Sequence, residues 1–171
     1  MKIIFTLFCL SFVVKSYAQS YLSELRTSLD KIQSDKEYAF NMYKTLSKSS
    51  LNNLEKGYYG VVESLLANHT FDPMKKISYF NSGKSKLENA IIQLPSNTEL
   101  RYLRLMLQLN VPSLLGYSSN IDTDRTYIIK NIAFQKNELG DSQYQRIIEN
   151  LIFNGKCTEN QITQLQKLKS E

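Results

Sequence analysis

Histidine is nearly missing from this chain: His69 is the only one in 171 residues. Cysteine is almost as scarce, present only as Cys9 and Cys157. Cys9 falls in the N-terminal leader described below, and one imidazole with the one remaining thiol cannot build the usual zinc ligand sets. A Ser-His-Asp or Cys-His pair would have to use His69, which lies in Asn68-His69-Thr70-Phe71 with no Gly-x-Ser-x-Gly elbow anywhere in the chain. No glycine-rich phosphate loop is present. Asp122-Thr123-Asp124 lacks the glycine and closing glutamate of a calcium loop. It reads instead as a helix start, with Asp122 as cap and Asp124 in the first turn. No cofactor or metal is therefore expected. Tryptophan is absent, and only six glycines and three prolines interrupt the chain.

The apolar segment Ile3 to Val14 is too short to span a bilayer, which takes about 20 apolar residues. Preceded by Lys2 and followed by Lys15 and Ser16-Tyr17-Ala18, it has the charge, apolar length and small-residue ending of a secretory signal peptide. Cleavage is expected after Ala18, with export to the periplasm or the cell exterior. That leaves 19–171 as a single domain, long enough for a core of its own. The chain carries 21 basic and 16 acidic residues. Lys2 and Lys15 belong to the leader, so 19 basic residues face the same 16 acids. Cys9 leaves as well, and Cys157 then has no partner within the chain.

The remainder reads helical. Leu22, Leu25, Leu29 and Ile32 recur at three- and four-residue spacing. A second helix is predicted over Asp35 to Lys48, with Tyr38, Met42 and Leu46 inward, and a third over Leu51 to Ala67. Gly57 and Gly60 in that third helix lower its propensity and imply the close approach of another backbone. Asp72 and Pro73 form a start signal. Ile77, Phe80, Leu87, Ile91 and Leu94 then mark one apolar face. Ser96 to Glu99 reads as a capping box opening a helix over Asn97 to Leu109, apolar around much of its circumference. A further helix carries Tyr127, Ile128, Ile132 and Ala133. Gly140 ends it and Asp141 caps the next, whose inward face is Tyr144, Ile147, Ile148, Leu151 and Ile152. Gly155 closes that one. Thr158 to Gln161 is a second capping box, before Ile162, Leu165 and Leu168. The expected fold is all-α: about seven antiparallel helices, as a hairpin stack or a compact bundle.

Gly83, Leu87, Ala90 and Pro95 stand at successive spacings of 4, 3 and 5. That register resembles the second helix of a tetratricopeptide repeat, and Asn97 with the apolar helix after it resembles the opening of the next. The likeness covers Leu51 to Leu109 and implies helical hairpins. The chain also resembles small exported helical proteins of flavobacteria and their relatives, through Leu100-Arg101-Tyr102-Leu103-Arg104 and Asn110-Val111-Pro112-Ser113-Leu114-Leu115-Gly116-Tyr117. That likeness implies export and a helical fold, and brings no functional residues.

The function read from these features is a non-catalytic protein-binding or scaffolding module of the cell envelope. Its partner would be another envelope or secreted protein rather than nucleic acid, and no membrane span remains after cleavage. Arg101, Tyr102 and Arg104 are the candidate partner-binding residues. Tyr58, Tyr59, Tyr79 and Tyr117 suit either a groove or the edge of a core. Two other classes remain open: an enzyme whose acidic residues meet only in the fold, or a small-ligand or lipid carrier. Facing acids in a deep pocket would favour the enzyme, and a closed apolar cavity the carrier.

Overall fold

A computed structural model describes residues 22–170. The predicted leader, with Lys2, Cys9, Lys15 and the cleavage point after Ala18, lies outside them. Every regular element among the described residues is helical. Helix α1 covers 22–34. It is followed by α2 (Lys36–Leu46), α3 (Asn53–Leu65), α4 (Pro73–Gln93), α5 (Thr98–Asn110), α6 (Ile121–Asn131), the single turn α7 (Lys136–Leu139), α8 (Asp141–Asn154) and α9 (Glu159–Ser170). Three short 3-10 turns lie between them, at Leu66–His69, Ser113–Leu115 and Ile132–Gln135.

Most helix starts follow local chemistry. Asp35 accepts from the Tyr38 amide, and Asp72 from the amides of Met74 and Lys75 with Pro73 in the first turn. Thr158 and Gln161 exchange hydrogen bonds as a capping box, and Asn52 with Glu55 forms another. Three starts differ from the sequence reading. The Ser96 to Glu99 box does not form: Asn97 caps α5 through the Leu100 amide, because Arg26 and Tyr58 draw Glu99 into the interior. Asp122 does not cap α6, which begins after Asn120 with no side-chain cap, and its carboxylate binds Arg125 instead. Asp141 sits inside the first turn of α8 rather than capping it, and Gly140 precedes it at φ 73°. That left-handed value suits glycine.

The α3–α4, α5–α6 and α8–α9 pairs run antiparallel. Glu24 meets Tyr38 across α1 and α2. Arg104 and Gln108 of α5 meet Asp124 and Asn120 at the start of α6. Tyr144 of α8 donates to the Leu168 carbonyl of α9. Among the described elements from α2 onward the α3–α4 pair is the most extensive, and its intimacy comes from glycine. A Cβ on Gly60 would lie 2.5 Å from the Gly83 carbonyl oxygen and 2.7 Å from the Leu87 nitrogen. One on Gly83 would lie 2.3 Å from the Gly60 oxygen. The two backbones therefore touch, as the glycines of the third helix imply. Leu87, Ala90 and Ile91 of α4 seal the contact with Tyr58, Val61 and Val62 of α3 in the core.

The core continues through α5 (Leu100, Leu103, Leu105), α6 (Ile128, Ile129) and α8 (Ile147, Ile148, Leu151). Helix α5 is buried on several sides, as its nearly all-round apolar surface requires. The first hairpin does not stay beside the second alone. Arg26 of α1 binds Glu99 of α5 and the Leu139 carbonyl, and Arg146 of α8 donates to the Arg26 carbonyl. Open solenoids contact only sequential neighbours, so these bonds mark a closed bundle. Two residues assigned inward are outside it: Ile77 is 46% exposed, and Ala133 is also exposed. Ile77 lies on a part of α4 that no other helix covers.

Candidate functional site

The three candidate residues of α5 point to different surroundings. Tyr102 is buried, and its hydroxyl accepts from Asn150 Nδ2 at 2.9 Å. Arg104 is buried and donates to both oxygens of Asp124 at 2.6 and 2.8 Å, and to Glu88 at 2.7 Å. Arg101 reaches Asp124 at 3.0 Å and the Pro95 carbonyl at 2.8 Å, with its guanidinium 4.1 Å from the centre of the Tyr127 ring. All three side chains are engaged inside the molecule.

Two polar clusters result. In the first, Glu99 of α5 accepts from Arg26 of α1 at 2.7 and 2.6 Å, from Tyr58 of α3 at 2.6 Å and from Gln143 of α8 at 3.0 Å. Burial works against the Arg26 charge, but the bonds and charge of Glu99 outweigh it and raise its pKa. In the second, Asp124 and Glu88 share Arg104, and Tyr117 donates to Glu88 at 2.5 Å. These acids are paired through arginine and tyrosine and do not face each other across an open cleft. A small cleft of about 210 Å³ lies beside the first cluster, between α1 and the start of α8. Its arginines, Arg26 and Arg146, are the ones holding Glu99 and the Arg26 carbonyl.

The buried tyrosines of these clusters tie stability to pH. Burial, then the charge of Glu99, pushes the Tyr58 hydroxyl well above its ordinary value. Burial also pushes Tyr102 up to about 12. A hydroxyl with a raised pKa keeps its proton in the folded state after the unfolded chain has lost it. Its contribution is complete below about pH 10 and is lost as pH rises through the folded value. The unfolding free energy read from urea titrations is expected to fall steeply between pH 10 and 12, by up to about 1.4 kcal/mol per pH unit for each such tyrosine. Tyr102→Phe should flatten that slope relative to the parent. An unchanged slope would mean that Tyr102 titrates normally.

His69 lies on the 3-10 turn after α3, with Nε2 2.7 Å from the Ile32 carbonyl oxygen. Cys157 is half-buried, and its thiol donates to the Leu151 carbonyl at 3.4 Å. Burial pushes that thiol up, against a smaller opposing effect of Arg125, which disfavours the reactive thiolate. Among the described residues, no group of three or more His, Cys, Asp or Glu side chains is placed to hold a metal ion.

A second concave surface lies elsewhere. A groove of about 530 Å³ runs between the α2–α3 connection, α3 and the C-terminal half of α4. Leu46, Leu51, Tyr59 and Ala90 supply apolar surface, Asn53, Asn89 and Gln93 supply side-chain amides, and Lys56 and Lys86 supply positive charge. No Asp or Glu lines it. Lys86 is oriented by Glu63 at 2.5 Å and Ser82 at 2.9 Å, and lies 5.2 Å from the centre of the Tyr59 ring. Tyr59 in turn packs on Tyr43 at 5.5 Å. Tyr43 and Phe40 both meet Tyr79 edge to face, at 6.5 and 6.2 Å. An aromatic row thus braces one wall of the groove. Of the five tyrosines singled out by sequence, Tyr58, Tyr102 and Tyr117 are buried, and Tyr59 alone reaches the groove. Its lysines and amides are scattered over three segments, so no local pattern marked them.

No protein-family model, curated protein or solved structure matches this chain. The tetratricopeptide likeness therefore rests on Gly83, Leu87, Ala90 and Pro95, of which Gly83 contacts the backbone of α3.

Proposed function

We propose that this protein is a non-catalytic binding module of the cell envelope that holds an acidic, extended segment of another exported protein in the groove between α3 and α4. The composition of the groove carries this reading. Apolar surface around Tyr59 can anchor one side chain, Lys56 attracts carboxylates, and Asn53, Asn89 and Gln93 offer both donors and acceptors to a peptide backbone. A partner rich in Asp and Glu with an apolar residue among them matches all three features. The signal-like leader supports the envelope location.

Synthetic peptides of matched length and opposite charge test the reading. An acidic peptide with a central leucine should bind in fluorescence anisotropy, and its lysine-substituted counterpart should not. Lys56→Glu should weaken the acidic peptide about tenfold or more, and added salt should do the same. Equal binding of both peptides, or indifference to Lys56→Glu, would remove the groove as the site.

A further inference from the structure

Helix α4 begins outside the body of the bundle. Residues 71–78 are exposed without a break, and the first side chains of α4 packed on the core are Tyr79 and Phe80. Three of the exposed residues are large and apolar: Phe71 is fully exposed, Met74 is 75% exposed and Ile77 is 46% exposed. Phe71 immediately precedes the cap Asp72, where an apolar residue often folds back on the helix as a staple. Its full exposure shows that it does not. Met74 and Ile77, three residues apart, share one helix face. Lys75 and Lys76 lie about 130° to either side of the centre of that face.

The tip carries two lysines, Lys75 and Lys76, and one acid, Asp72. The Asp72 carboxylate is engaged by its own helix, accepting from the Met74 amide at 2.9 Å and the Lys75 amide at 3.3 Å. Lysines that extend away from an apolar face can rest their stems on it and place their ammonium groups at a charged boundary. A second copy related by a twofold axis would bring Lys75 and Lys76 towards the same lysines, which repel. The convex form, the unpacked Phe71 and the paired lysines instead match the interface of an anionic bilayer, where short apolar wedges and basic residues act together.

We propose that the Phe71–Ile77 tip docks on an anionic lipid surface. Phe71, Met74 and Ile77 enter the boundary of the acyl chains, while Lys75 and Lys76 meet the phosphate head groups. The tip rests on the bilayer, and no helix among the described residues is long and apolar enough to cross it. The groove lies near the other end of α4. Nine residue steps, from Ile77 to Lys86, separate the near edges of the two surfaces by about 14 Å along the helix. The docked molecule would hold the groove clear of the lipid.

The absence of tryptophan makes the test direct. Phe71→Trp in the protein as recovered from the envelope places the sole indole at the tip. It reports the environment of that residue however the rest of the chain meets lipid. Titration with vesicles of equal phosphatidylcholine and phosphatidylglycerol should shift its emission to the blue. Affinity should exceed that for pure phosphatidylcholine by about tenfold or more. Adding Met74→Ser and Ile77→Ser, both at exposed sites, should weaken binding about tenfold or more while leaving the helical circular dichroism unchanged. An emission spectrum unmoved by anionic vesicles would overturn the proposal, as would equal affinity for neutral ones. So would a blue shift that grows with protein concentration in the absence of lipid, since a second copy would then cover the tip.

Discussion

Glu99→Ala is expected to cost about 3–5 kcal/mol of stability, a large share of the margin of a typical domain. Glu99 is 1% exposed and is the point where four helices meet. Arg26 comes from α1, Tyr58 from α3 and Gln143 from α8, and all donate to one carboxylate of α5. Removing it leaves a mostly buried guanidinium, a buried hydroxyl and a buried amide without their common acceptor. The urea midpoint, followed by circular dichroism, measures the loss. Replacing both charges, as Arg26→Leu with Glu99→Leu, should cost less than Glu99→Leu alone, because no unpaired charge is then buried. A loss under about 1 kcal/mol for Glu99→Ala would show that the four-helix junction is solvated and does not close the bundle.

Gly83→Ala should be nearly as damaging, although it adds one methyl group. In an open helix this change gains about 1 kcal/mol of helix propensity. At Gly83 the new Cβ would fall 2.3 Å from both the Gly60 carbonyl oxygen and Ser64 Oγ, and 2.6 Å from the Ser64 nitrogen. Backbone atoms cannot rotate away, so α3 and α4 must separate and reopen the best-packed seam of the core. The expected net loss is about 2–4 kcal/mol. Gly60→Ala meets backbone as well and should behave alike. Gly57→Ala should be milder, because the atom it meets first is the flexible end of Leu100. Asn81→Ala, on the exposed side of the same helix, should change stability by less than about 0.5 kcal/mol. The ranking is the test: a Gly57 variant weaker than the Gly83 variant, or a stabilised Gly83→Ala, would mean that the helices slide apart at little cost.

Local signals were legible where the chemistry is local. Asp72-Pro73 and Thr158 to Gln161 start helices because their side chains satisfy amides two or three residues on. The Ser96 to Glu99 pattern contains the same residues, yet Glu99 turns inward, since Arg26 is the stronger partner and lies 73 residues away. Asp122 and Asp124 diverge for a similar reason: Asp124 is fully buried between two arginines, whereas Asp122 holds Arg125 from the surface. Ile77 fits the apolar period of α4 as well as Leu87 does. Periodicity says which residues share a face, but not where along a helix its neighbours end. Arg101, Tyr102 and Arg104 stood out as a basic and aromatic group. Whether such a group meets solvent or a carboxylate depends on Asp124 and Asn150, which belong to other helices.

By itself the sequence determined the all-α class, most helix limits and the close approach of some second backbone to α3. Caps, glycine positions and apolar spacing act within a few residues or across one hairpin. Only the tertiary structure decided that the first hairpin returns to α5 and α8 and closes a bundle around Glu99. It also decided that a groove lined by no Asp or Glu opens beside Tyr59, and that side chains 71–78 at the start of α4 are exposed. Those outcomes depend on where separate helices meet, which no local pattern in the chain encodes.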